Sequence, residues 1–233
     1  MKWLERQRKI EEAVYDTINE LSDELSIPIP YYPEVWWLGR TVDFADLALP
    51  EYLRDELEKR NRTGISYYIV PYKIVIISKK ATAHAILEES SHAFHLIISK
   101  ISYWGRNTKD LVCLAALVEM MGFLGARLVG SDLENPYEDF PDLSTLTLES
   151  QIRVQESIAK VLGENADFNE FFFHQQGYGL ADRIYLKYLT GQVSLSRLRH
   201  LFLADFSSNN GALREFARLK NEFWPQQSPQ APK

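Results

Sequence analysis

Disulfides, reactive thiols and clustered positive charge are all scarce in this chain. Its 233 residues include one cysteine and five histidines. The single cysteine, Cys113, cannot form an internal disulfide, which agrees with a reducing compartment and favours a cytoplasmic location. Cys113 stands in an apolar run, where a thiol is typically a small buried hydrophobe. No serine lies in a motif that marks a nucleophile, so a metal-independent hydrolase is disfavoured.

Positive charge is dispersed, and the formal net charge is −6. No run of Lys and Arg forms a stripe that would follow a phosphate backbone, so neither nucleic acid nor a membrane surface is an expected partner. The segment Met1–Arg8 is charged and has no apolar stretch leading to a cleavage site, so we expect no secretion signal. The longest apolar stretch, Leu111–Val129, is interrupted by Glu119 and Arg127, which predicts a buried core helix rather than a membrane span.

The composition, 45% hydrophobic and 25% charged, is that of a globular protein. The predicted fold class is α+β, mainly helical. We predict one domain over residues 1–224, with an N-terminal helix over 1–26, a small sheet over 65–78 and a helical part over 81–223, followed by a flexible tail over 225–233. Helical spacing predicts helices at Trp3–Leu25, Pro50–Arg60, Ala81–Lys100, Lys109–Val129, Leu146–Leu162, Gln175–Leu189, Ser194–Leu203 and Gly211–Phe223.

Two segments before residue 79 are rich in β-branched and aromatic residues. Ile65–Val70 and Ile74–Ile77 therefore predict two short strands or one bent ribbon. Upstream, the three prolines of Ile27–Pro33 predict an extended connector. The aromatic cluster Tyr31, Tyr32, Trp36 and Trp37 could line a groove, although packing under a loop is the commoner use.

The helix predicted over Ala81–Lys100 contains candidate metal ligands and a candidate general base. Residues four apart share a helix face, so His84, Glu88 and His92 line up along one side. In zinc peptidases the pattern His-Glu-x-x-His provides two histidine ligands and a glutamate general base. The corresponding letters here are EESSH. Glu89 thus stands at the base position, His92 at the second-ligand position and Glu88 where the first histidine belongs.

A third ligand is expected from a following helix, as a carboxylate on an otherwise apolar surface. Glu119 is the only acid in Leu111–Leu124. An ionised carboxylate is costly at such a place unless it is paired or metal-bound. Glu119 therefore needs a partner, and either a metal ion or His92 would serve.

Together these segments resemble the gluzincin zinc metallopeptidases, with the helices of small, thermolysin-like zincins and a degenerate HExxH motif. The resemblance runs from about Ile65 to Leu203. It is carried by the strand Ile74–Ile77, the EESSH helix and Ala-Leu-Val-Glu at Ala116–Glu119, and further on by His174–Gly177, Ala181–Tyr185 and Tyr188–Gly191.

The resemblance implies a zincin-like domain whose small sheet lies beside the active-site helix, with Ile74–Ile77 as the edge strand. It implies zinc as the cofactor, with Glu88, His92 and Glu119 as metal ligands.

The resemblance also implies a division of catalytic roles. Glu89 would polarise a water for attack on a peptide carbonyl, and His174 or Tyr178 would stabilise the oxyanion. A peptide or protein would be the substrate or ligand, and it could add to the edge strand as a further strand.

One residue departs from the family pattern. With Glu88 in place of histidine, the donors are one imidazole and two carboxylates, a harder and more anionic set than His-His-Glu. Such a set raises the pKa of a coordinated water, the opposite of what peptide hydrolysis needs. Three outcomes stay open: a working site with zinc or another divalent metal, a structural metal site, or a metal-free pseudoenzyme that binds peptide or protein. The sequence does not fix the oligomeric state.

Other interpretations of the same residues also stay open. Glu88 and His92 suit a stabilising i,i+4 pair, and His84, Glu88 and His92 could hold a metal without Glu119, although that row spans two helical turns. His95 is typical of a core histidine. A di-iron bundle is not expected, because the chain lacks the second Glu-x-x-His that it requires.

The segment near residue 174 has a packing interpretation as well. His174 follows the three phenylalanines Phe171–Phe173, a run typical of a core or a pocket wall. Gly177 and Gly179 favour close helix packing rather than phosphate binding, because no strand leads into them.

Overall fold

The computed structural model describes residues 2–38, 66–69, 73–99, 105–137 and 168–224, together with positions 50, 51, 54, 55, 57, 58 and 101. The helices are α1 (Lys2–Leu25), α2 (Ala83–Ile98), α3 (Thr108–Leu128), α4 (Phe168–Leu189), α5 (Leu195–Phe202) and α6 (Gly211–Phe223). The strands are β1 (Glu34–Trp37), β2 (Tyr67–Ile69) and β3 (Ile74–Ile77). A mainly helical chain with a small sheet agrees with the predicted α+β class, and the zincin-like topology stays a prediction.

Some predicted elements fall outside the described residues. The helix predicted at Leu146–Leu162 and the tail at 225–233 lie wholly outside them, and the helix at Pro50–Arg60 lies partly outside. Helix α4 begins at Phe168, seven residues before the predicted start at Gln175. The start was missed because three consecutive phenylalanines give no helical periodicity.

The chain divides into two compact units. Unit 1 comprises Met1–Ile98 and Gly125–Leu133, and unit 2 comprises Ser99–Leu124 and Glu134–Lys233. Helix α3 belongs to both, since its last turn, from Gly125, is part of unit 1. The prediction of one domain over 1–224 stays a prediction.

Unit 1 contains the sheet, in which the strand order is β1-β3-β2. β3 pairs with β1 in parallel, Glu34 opposite Ile74, and with β2 in antiparallel, Tyr67 opposite Ile76. All four residues of β3 are buried, as expected for an apolar strand between two neighbours. The prediction that Ile74–Ile77 is the edge strand was therefore wrong.

β1 is the strand that the sequence did not predict. Prolines precede it and aromatic residues form it, which favoured a connector followed by loop packing. Its outer edge is covered by the side-chain amide of Gln7 on α1. Gln7 Nε2 donates to the carbonyl of Val35 at 2.7 Å, and Gln7 Oε1 accepts from the N–H of Trp37 at 2.9 Å. An edge strand whose polar groups are satisfied in this way is protected from pairing with another chain.

Two helices cover the sheet in unit 1. α1 packs against α2 and β1, and α2 packs against β3 and β2. The predicted apolar face of α1 is confirmed from its second turn onward, since its buried residues are Ile10, Val14, Thr17, Ile18, Leu21 and Leu25. Leu4, which belongs to the same predicted face, is exposed.

In unit 2 one buried carboxylate joins two helix N-termini. Asp110, in the first turn of α3, is fully buried and forms an ion pair with Arg106. Its Oδ1 accepts a hydrogen bond from the backbone N–H of Leu213 in the first turn of α6, at 2.8 Å. The N-cap residue of α6, Asn210, makes no side-chain cap of its own. Asp110 therefore satisfies an N–H group that the start of α6 would otherwise leave unpaired.

Helix α3 is long and apolar enough to cross a membrane by length and composition. Among the described helices it alone passes that test, and 61% of the tested window is buried inside the protein. A buried core helix passes the same test, and the burial agrees with the prediction made for Leu111–Val129.

Candidate metal centre

Helix α2 positions the predicted metal ligands of unit 1. Thr82 precedes the helix, and its Oγ1 accepts a hydrogen bond from the N–H of Ala85 at 3.2 Å, as an N-cap side chain does. The helix then places His84, Glu88 and His92 on one face. His92 is buried, at 8% exposure, and Glu88 is half-buried.

Glu119 on α3 completes the group expected from the sequence. Glu88, His92 and Glu119 each offer one ligand atom, and these atoms lie within 4.8 Å of one another. Among the described residues this is the one group of three His, Cys, Asp or Glu side chains that meets this spacing. A candidate metal-binding group is therefore present, although its geometry does not identify the metal.

His84 contacts a member of this group without joining it. Its Nε2 lies 3.1 Å from Oε2 of Glu88, and its Nδ1 lies 2.6 Å from Oγ of Ser131. Because both ring nitrogens are engaged, His84 holds the Glu88 carboxylate in place. The geometry thus favours Glu119 over His84 as the third ligand. Ser131 was not predicted, because no sequence pattern links a serine to a histidine 47 positions away.

In unit 2, His174 contacts the carboxylate of Glu119, as His84 contacts that of Glu88. Its Nε2 lies 3.3 Å from Oε2 of Glu119, and both side chains are about one-fifth exposed, at 23% and 21%. His174 was predicted as an oxyanion-stabilising residue. It contacts Glu119, and its role toward a substrate stays a prediction.

Gly177 permits this contact because it lies on the same face of α4 as His174, one turn further along. A Cβ atom at position 177 would lie 2.7 Å from the carbonyl oxygen of Ala116 and 2.7 Å from Cβ of Glu119. Real Cβ atoms do not approach other atoms this closely. Glycine is therefore required for α4 to approach α3 at Glu119, which confirms the predicted packing role.

We expect Gly177→Ala to destabilise the protein by about 1–3 kcal/mol through overpacking, and to displace Glu119. Helix propensity alone predicts the opposite sign, a gain of up to about 1 kcal/mol, because alanine favours a helix over glycine. Chemical denaturation of the full chain decides between them. A variant more stable than wild type would contradict the close approach.

Tyr178, the other predicted oxyanion residue, is buried within an aromatic cluster of unit 2. Its ring stacks on Phe123 with centroids 4.1 Å apart, and meets the edge of Tyr137 at 5.4 Å. The His174 ring lies 5.6 Å from that of Tyr178. The cluster thus orients His174 toward Glu119, and a direct role of Tyr178 in chemistry stays a prediction.

Glu89, the predicted general base, follows Glu88 on α2 and is half-buried. It is not a member of the metal-binding group. Its catalytic role stays a prediction.

Two further titratable groups lie near these residues. His95 is fully buried, and its burial together with neighbouring His92 lowers its pKa to about 3, so it is neutral at physiological pH, as a core histidine would be. In unit 2, burial and Asp110 raise the pKa of Cys113 to about 11. Cys113 is therefore a thiol rather than a thiolate, in agreement with its predicted role as a buried hydrophobe.

Unit 1 also contains a cavity of about 430 Å³. It lies between α1 and the segment after β3, and its lining includes Arg6, Lys9, Trp37 and Lys79. None of the three candidate ligands lines it. Convergence of ligand atoms is a more specific indication of function than an open cavity, so the candidate metal-binding group is the candidate functional site.

No protein-family model, curated protein or solved structure matches this chain. The likeness to gluzincins therefore rests on the sequence segments alone. The geometry of Glu88, His92 and Glu119 is the structural indication of function in the described residues.

Proposed function

We propose that this protein binds one divalent metal ion through Glu88, His92 and Glu119, in a metallopeptidase-like centre with weak peptide hydrolysis. The observation that carries the proposal is the convergence of three ligand atoms within 4.8 Å. Two carboxylates at such a separation repel each other when both are ionised, and a divalent cation removes that repulsion. A bound cation would therefore stabilise the two carboxylates beyond what their contacts with His84 and His174 provide.

The donor set fits a divalent transition metal. One imidazole nitrogen and two carboxylate oxygens suit zinc, and equally manganese or iron(II), for which oxygen donors are favourable. Three protein ligands leave further coordination positions for water or substrate, as catalytic metal sites require. Zinc remains the cofactor that the family resemblance implies.

The metal, when bound, would supply Lewis acidity, polarising a carbonyl and acidifying water. Glu89 is the residue that we assign as general base, because it stands at the base position of the motif. The carboxylate of Glu88 adds negative charge where the family has a neutral histidine. It lowers the acidity that the metal can confer, which is why we propose weak hydrolysis.

A peptide substrate would bind most readily along β2. β3 is paired on both sides, and the outer edge of β1 is covered by Gln7. β2 is the other outer strand of the described sheet, and α2 packs against it. A peptide that adds to β2 as a further strand would therefore run beside the helix that carries Glu89.

The first test is the metal content of the protein after removal of metal with a chelator and reloading with zinc or manganese. We expect one ion per chain in wild type, and a higher zinc affinity in Glu88→His, which restores the second imidazole. Glu88→Gln is the matched control, because it removes the charge without adding a nitrogen ligand. A wild-type protein that takes up neither metal would contradict the proposal.

A second candidate function is a non-enzymatic module that binds peptide or protein. The specific observation in its favour is the carboxylate at position 88, which weakens water activation. The two candidates differ in one assay. Metal-dependent peptide cleavage that is lost in Glu89→Gln supports the peptidase, and peptide binding without cleavage supports the binding module.

A further inference from the structure

Each carboxylate of the metal-binding group has a histidine of its own. In unit 1, His84 Nε2 lies 3.1 Å from Oε2 of Glu88. In unit 2, His174 Nε2 lies 3.3 Å from Oε2 of Glu119. In each pair the ring nitrogen lies against Oε2 of the glutamate.

Both histidines are themselves held in place. Ser131 Oγ lies 2.6 Å from Nδ1 of His84. The ring of His174 packs against the rings of Tyr137, with centroids 5.9 Å apart, and Tyr178, at 5.6 Å. A histidine fixed on one side by a partner presents its other nitrogen in a defined direction. The carboxylates of Glu88 and Glu119 are thus oriented by histidines whose rings are held in place by other residues.

We infer that His84 and His174 are positioning residues that limit Glu88 and Glu119 to one metal-binding oxygen each, and so make the site select a transition-metal ion over Ca²⁺. The inference rests on the proposed function and adds the class of metal that the site accepts. A carboxylate oxygen that accepts a hydrogen bond from an imidazole competes poorly for a cation, so bidentate binding is disfavoured. Ca²⁺ needs six to eight oxygen ligands and often takes bidentate carboxylates, whereas zinc binds well through few single donors.

The experiment compares Zn²⁺, Mn²⁺ and Ca²⁺ affinities of the full chain by calorimetric titration. One double variant, His84→Leu with His174→Phe, removes both donors, and its phenylalanine preserves the ring packing against the two tyrosines. The matched variant, His84→Gln with His174→Gln, retains an N–H donor at each position. His200→Gln is a further control, since His200 is exposed and contacts the carbonyl of Ser196.

We expect the Leu/Phe variant to lose about 10–100-fold in Zn²⁺ affinity, the range for partners of metal ligands, and the preference for Zn²⁺ over Ca²⁺ to fall with it. The Gln/Gln variant should keep most of the Zn²⁺ affinity and most of the preference for Zn²⁺ over Ca²⁺.

An unchanged preference in the Leu/Phe variant, or an equal loss in both double variants, would overturn the inference while leaving the proposed function intact. Two ions per wild-type chain would also overturn it, because the histidines would then be ligands. Wild type that binds no transition metal would overturn both proposals.

Discussion

His92→Ala is expected to abolish the binding of divalent transition metals. His92 provides the only nitrogen among the three proposed donors, and imidazole is the donor on which affinity for zinc and its neighbours most depends. Loss of a partner that only orients a ligand costs about 10–100-fold in affinity, so loss of the ligand itself should cost more. Titration of the metal-free protein with zinc, followed by elemental analysis after dialysis, measures the effect.

The control for this substitution has to separate loss of a ligand from loss of fold. His92 is buried. His92→Gln, which preserves side-chain length and polarity, should therefore be compared with His92→Ala, and both should give the helical circular dichroism of wild type. His200→Ala removes an exposed histidine and should bind metal normally. A His92 variant that folds and retains stoichiometric zinc would contradict the assignment.

Asp110→Ala is expected to lower the free energy of unfolding by about 3–5 kcal/mol, the usual cost of removing one partner of a buried ion pair. The substitution leaves the Arg106 guanidinium, which is 3% exposed, without its carboxylate. It also removes the acceptor for the Leu213 N–H, so the first turn of α6 loses a cap. Urea denaturation of the full chain measures the change.

A double-mutant cycle tests the physical cause. If the buried charge dominates, Arg106→Met combined with Asp110→Asn should cost clearly less than the sum of the two single substitutions. The asparagine keeps an acceptor for the Leu213 N–H, so the cap is retained throughout. Additive losses would show that Arg106 and Asp110 do not stabilise the fold as an ion pair.

The candidate metal-binding group was predictable from sequence, because two of its members are placed by local helix geometry and the third is an acid in an otherwise apolar helix. The spacing of Glu88 and His92 places them on one helix face whatever the rest of the fold does. Glu119 was found because an acid within an apolar helix needs a partner. Both the helical spacing and the acid in an apolar helix can be recognised in a single sequence. The three residues could therefore be grouped although no related protein matches.

The residues that contact this group were harder to predict from sequence. Ser131 contacts His84 only because the chain folds back over 47 positions, and a serine in a turn carries no signal of such a contact. His174 was identified, but as a residue for the substrate rather than as a partner of Glu119. Contacts that depend on the tertiary approach of two helices, such as the one that Gly177 permits, cannot be read from periodicity.

The order of strands in the sheet was also not predictable from local sequence patterns. The apolar run Ile74–Ile77 correctly predicted a buried strand. Its position in the sheet depends on the strand Glu34–Trp37, whose aromatic residues and preceding prolines indicated a connector and loop packing instead. Strand order is set by long-range pairing, which a local pattern does not encode. The helices among the described residues were predicted more accurately, because the hydrogen bonds of a helix are local.

The proposed binding of one metal ion by Glu88, His92 and Glu119 can be tested by crystallography. The protein is loaded with manganese or zinc, and anomalous scattering is measured at the absorption edge of the metal. We expect a single strong anomalous peak per chain, within bonding distance of a His92 ring nitrogen and of one oxygen from each glutamate. A loaded crystal with no peak at this group, or with its peak at other residues, would contradict it.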